Sequence, residues 1–148
     1  MGLRDILSGR LKLESLFSEV YSEMAKVTIV FAVIFIALGV VGFVTTGSQH
    51  PTALIPAALG LLLGIFGAVA LSPDPKRRKL FMHINVMLGL LGFLGTIMGL
   101  IQWFQMLGGA VVKNPPATES KAAMALLSLL YVALCVRSFI AARRARLV

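Results

Sequence analysis

With 148 residues, 58% of them hydrophobic and 14% charged, and a net charge of +8, the chain carries more aliphatic mass than a soluble domain of its size can cover with polar surface. The basic residues lie between apolar runs rather than among aromatic and hydrogen-bonding side chains on a wet face, which excludes nucleic acid as their partner and leaves anionic lipid headgroups at the cytoplasmic face. The expected fold class is therefore all-α: an integral membrane four-helix bundle with a short N-terminal amphipathic interfacial helix and both termini cytoplasmic.

Residues 1–26 form the first segment. Leu13, Leu16, Phe17, Val20, Tyr21 and Met24 recur at helical spacing, with Glu14, Ser15, Ser18, Glu19, Ser22 and Glu23 on the other face. This predicts a short helix on the membrane surface, although an acidic polar face suits docking onto the bundle or a partner almost as well. The segment is too long, and lacks the cleavage site, for a signal peptide, and Met1-Gly2 has no Ser or Thr at the sixth position for myristoylation.

The bundle occupies residues 27–142, followed by a basic tail, 143–148. Four apolar stretches, 27–45, 53–71, 80–107 and 122–142, each approach or exceed the ~20 residues that cross ~30 Å of hydrocarbon. Of the 14 Lys and Arg, twelve fall on one side: Arg4, Arg10, Lys12 and Lys26, the loop Lys76 to Lys79, and Arg137, Arg143, Arg144 and Arg146. Lys113 and Lys121 fall on the other, in the expected third loop, 108–121. The bias puts both termini in the cytoplasm. Ser72-Pro73-Asp74-Pro75 is a tight connection that makes the second and third helices antiparallel neighbours.

The third span is the most informative. At ~100° per residue, Asn85, Gly89, Gly92, Gly95, Thr96, Gly99 and Trp103 fall within about a third of the circumference, a stripe of small and polar groups. Gly60, Gly64 and Gly67 form a similar stripe on the second span. Because lipid supplies little hydrophobic drive between helices, such stripes are expected to be close-packing faces rather than a ligand or ion path. Leu38-Gly39 and Gly42-Phe43 recur as Leu88-Gly89 and Gly92-Phe93, a recurrence that chance explains in a chain so rich in Leu and Gly.

Polar groups expected in the bundle are Asn85, Thr96, Tyr131 and Arg137. Asn85 and Arg137 lie at matching depth, about one and a half turns inside the span ends, so Arg137 either snorkels to the headgroups or bonds Asn85. No acidic or basic residue sits mid-span, which argues against proton-coupled transport. His50 and His83 belong to opposite rims, and Cys135 has no second cysteine to pair with. Catalytic, cofactor-binding and metal-binding residues are expected to be none, because the pattern contains no nucleophile-base pair, carboxylate pair or phosphate-cradling loop.

The expected role is thus non-enzymatic: a structural or accessory membrane protein packing through glycine faces, as a homo-oligomer or as a subunit of a larger complex. A small oligomeric transporter or channel is the alternative. The cell membrane is the expected location, with the bacterial inner membrane as the default for so compact a chain.

Overall fold

The structure, a computed structural model, describes residues 2–147; the side chains of Phe17 and of residues 145–147 are outside the described set, and with them the tail residue Arg146. The described residues form α1 (Leu3–Thr45), a 3-10 turn (Pro51–Leu54), α2 (Ile55–Ala70), α3 (Pro75–Leu107) and α4 (Pro115–Leu147). Four segments, Leu3–Thr45, Pro51–Ala70, Pro75–Leu107 and Pro115–Arg144, are long and apolar enough to cross a bilayer. The helices pack in a ring, α1 to α2 to α3 to α4 and back to α1, with α1 and α3 diagonal.

The first helix departs from the sequence reading. Instead of a short interfacial helix followed by a separate span, one unbroken helix of 43 residues, about 65 Å at 1.5 Å per residue, runs from Leu3 to Thr45. The cause is local: between Gly9 and Gly39 there is neither Gly nor Pro, and Lys26 Nζ donates to Glu23 Oε1 (2.9 Å) across the junction. A helix without a hinge cannot turn to lie flat, so the amphipathic segment continues the axis of the span.

The bundle end of this segment is held and its far end is free. Met24 and Ala25 are buried, Val20, Tyr21 and Ser22 are half-buried, and every residue from Leu3 to Leu16 is exposed.

The remaining helix ends follow their sequence signals but extend the expected spans. Asp74 Oδ1 accepts from the Lys76 amide (3.1 Å) and Pro75 occupies the first turn, so α3 begins at Pro75 rather than at residue 80. Gly109, at φ +95, ends α3 in the left-handed region that glycine favours. Pro115 and Pro116 start α4 ahead of the expected span at residue 122, because proline's fixed φ suits a first helical turn. The third loop shortens accordingly to residues 108–114.

Glycine lets the helices approach. A methyl group on Gly60 would lie 2.7 Å from Ala32 O, 2.8 Å from Phe35 Cβ and 2.9 Å from Ile36 N, all of them backbone or backbone-fixed atoms of α1. Gly64 and Gly67 face the same helix, 3.3 Å from Ala32 Cβ and 3.0 Å from Thr28 Cγ2 by the same measure, and Gly39 of α1 abuts the Ala57 backbone of α2. On α3, Gly89 meets Tyr131, Gly92 meets Leu59 and Ser128, and Gly99 is covered by the Lys121 stem. Gly95 differs from the expected stripe. It lies about 60° round the helix from Gly92, at the stripe's edge, and is exposed with nothing within 4 Å of a built methyl group.

These contacts predict opposite outcomes for two alanine substitutions. Gly60→Ala should lower the thermal stability in mild detergent by about 1–3 kcal/mol, the usual cost of forcing extra volume into a tight contact. Gly95→Ala should leave stability unchanged or raise it by up to about 1 kcal/mol, since Ala is the better helix former. Circular dichroism melts of both variants check this; the reverse order would mean that α3 is rotated from the orientation described.

Candidate functional site

The interior has few polar side chains, and their partners define the first candidate site. Thr28, Asn85, Thr96 and Ser128 are buried, as is Tyr131, and in an apolar core a polar group without a partner is costly. Thr28 Oγ1 donates to Met24 O (2.9 Å) and lies 2.9 Å from the Tyr131 hydroxyl. Because the Thr28 proton is already used, the Tyr131 O–H donates to Thr28 Oγ1, joining α1 to α4. The Tyr131 ring fills the space left by Gly89 and packs on Phe31, centroids 5.3 Å apart. Thr96 satisfies itself on its own helix, donating to Gly92 O at 2.6 Å.

Asn85 and Ser128 are different. Both are fully buried, and Asn85 Nδ2, Asn85 Oδ1 and Ser128 Oγ find no hydrogen-bond partner among the described residues. The α3 glycines set an antiparallel register in which Gly89 is level with Tyr131 and Gly92 with Ser128. Asn85, one turn before Gly89, is thus level with Cys135. Asn85, the Tyr131–Thr28 pair and Ser128 therefore stack as three polar steps along the α3/α4 interface, offering a carboxamide and a hydroxyl with open bonding capacity.

Arg137 does not join this set. It is exposed and makes no hydrogen bond to Asn85, because two residues beyond Cys135 is about 200° round the helix, away from α3. A match in depth along the sequence says nothing of direction round the helix.

The second candidate site is a cleft of about 840 Å³ at the basic rim, where the lower part of α1, the start of α3 and the end of α4 diverge. Arg78 spans it. Its Nε and Nη2 donate to Ser72 O (3.3 and 3.0 Å), and its Nη1 donates to Ser18 O (3.3 Å) and Ser18 Oγ (3.1 Å), which clamps α1 to the loop before α3. His83 Nδ1–H donates to Lys79 O (2.8 Å), and its ring lies 5.1 Å from that of Phe139. His50 sits in the loop at the opposite rim, so the two histidines are not brought together.

Sequence reasoning passed over Thr28, Ser128 and the Arg78–Ser18 clamp. Thr28 and Ser128 carried a usable signal, being hydroxyls inside apolar runs, but only the contacts show which of them is paired. No family model, no curated protein and no solved structure matches the chain.

The hydrogen-bond pattern predicts coupling at one pair and its absence at another. In a double-mutant cycle of detergent unfolding, Thr28→Val and Tyr131→Phe should couple by about 0.6 kcal/mol, the usual mean for polar pairs in membrane bundles, whereas Arg137→Ala and Asn85→Ala should be additive. Replacing the unpaired carboxamide by an apolar group of similar size, Asn85→Leu, should leave the melting temperature unchanged or raise it. A clear loss of stability would show that Asn85 has a bonding partner.

Proposed function

We propose that this is a small, non-enzymatic, multi-pass protein of the cell membrane, with both termini and the Asp74 to Lys79 loop in the cytoplasm, that serves as a structural or accessory component. The observation that carries this reading is the free end of α1. The glycine faces are used between the chain's own helices, while residues 3–16 project as a helix about 21 Å long with Leu3, Ile6, Leu7 and Leu11 exposed. Such side chains on a projecting helix suit a partner, either another copy or a subunit of a larger complex. The charge bias of the rims supports the orientation.

A second reading, a small oligomeric transporter, draws on Asn85 and Ser128. Buried hydrogen-bonding groups with open capacity are what a polar solute moving along α3 and α4 would meet. Under that reading Asn85→Leu abolishes flux in reconstituted vesicles while preserving the fold.

Two measurements test the proposal. In a Cys135→Ala background, single cysteines from Gln49→Cys and Val111→Cys should react with a membrane-impermeant thiol reagent in intact cells, and one from Asp74→Cys should not; the opposite pattern sinks the orientation. In mild detergent the tagged chain should run as a defined oligomer or a stoichiometric complex, and Leu7→Glu with Leu11→Glu should reduce it to a monomer. A monomer from the outset, untouched by these substitutions, would remove the accessory role.

A further inference from the structure

We infer that the rim cleft is a binding site for one anionic phospholipid, its phosphate held by Arg78, Lys79 and Arg143 and its acyl chains lying along Val136, Phe139 and Ile140. The inference rests on the membrane placement proposed above and adds to it a specific ligand position. Three observations converge.

The first is uncompensated charge. The ion pairs among the described residues are Lys26–Glu23 and Arg77–Asp74, so none of the three basic residues on the cleft is neutralised. Arg78 is bonded to carbonyl and hydroxyl oxygens, which fix the guanidinium in place yet leave its charge unbalanced and part of its Nη capacity open. Glu14 is the one acid on the lining, so the cleft has a net positive charge.

The second is shape. At about 840 Å³ the cleft is large enough for a headgroup with the first part of its chains. The third is the layout of its walls. Lys79 and Arg143 are at the outer lip, whereas Val136 and Ile140 lie deeper and are exposed on the outer face of α4, continuous with its lipid-facing surface. A charged lip over an apolar wall open to the bilayer fits an anionic amphiphile rather than a free anion, which would gain nothing from the apolar wall.

The test uses the full chain in detergent, titrated with dioleoylphosphatidylglycerol, with dioleoylphosphatidylcholine and with inorganic phosphate, occupancy being read by native mass spectrometry. One phosphatidylglycerol per chain is expected, bound well ahead of phosphatidylcholine. Lys79→Gln with Arg143→Gln removes two exposed side chains that make no hydrogen bond among the described residues. That pair should weaken phosphatidylglycerol about fivefold per charge, or about 25-fold together, whereas the equal charge change Arg4→Gln with Lys12→Gln should alter it less than twofold. Equal weakening by the two pairs would reduce the effect to net charge and overturn the site, as would phosphatidylcholine binding equally well. Phosphate binding as tightly as the lipid would reassign the cleft to a soluble anion. Failure of the chain to fractionate with membranes would remove the membrane placement itself, an outcome distinct from each of these.

Discussion

Close backbone approach at glycine is the constraint on which the remainder of the bundle depends. Between helices in lipid, van der Waals contact has to do what water exclusion does in a soluble core, and contact area rises steeply as two backbones come together. Gly60 against Ala32 and Phe35, answered by Gly39 against Ala57, draws α1 and α2 into one unit. On α3 the glycines make room for side chains instead: the Tyr131 ring at Gly89, Leu59 of α2 and Ser128 at Gly92, and the Lys121 stem at Gly99. The strongest helix pairings are these two, α1 with α2 and α3 with α4, so the ring is two tight hairpins laid side by side. Their seam is where the larger side chains gather: Phe35, Leu63, Met82 and Tyr131 are buried.

The polar layer follows from that arrangement. The Tyr131 ring fits only because Gly89 has no side chain, and its hydroxyl then reaches Thr28 on the other hairpin. One hydrogen bond thus ties the two hairpins in the buried interior, while the Asn85 carboxamide one turn away has no hydrogen-bond partner among the described residues. An unpaired amide in such surroundings is costly to the fold.

Much of the architecture was legible from composition and spacing, for physical reasons that single out which parts. Four apolar runs of membrane length specify four helices, because only a helix satisfies its own backbone in lipid. The starts of α3 and α4 were not legible: Asp74-Pro75 and Asn114-Pro115 open helices ahead of the expected spans at 80 and 122, because proline's fixed φ suits a first helical turn. Nor could direction and continuity be read. Gly95 and Gly92 share a stripe on paper, yet 60° of rotation separates an exposed residue from a packed one. The amphipathic pattern before Lys26 is the same whether the helix lies flat or runs straight on, and the choice turns on the absence of a breaker between Gly9 and Gly39. The candidate sites were least legible. Ser18 and Arg78 are sixty residues apart, and nothing in local pattern announces that one accepts from the other.

The unbroken α1 is also a lever. Its upper half is gripped by α2 and α4, its last lateral hydrogen bond among the described residues is the Arg78–Ser18 contact, and about 21 Å of rod extends past the exposed Leu16. With no hinge to absorb it, a 10° tilt of the rod about that contact moves its tip by about 4 Å. The same tilt moves Glu14, one turn below the pivot, relative to α3 and α4, so that whatever pulls on the far end of α1 widens or narrows the basic cleft at its foot.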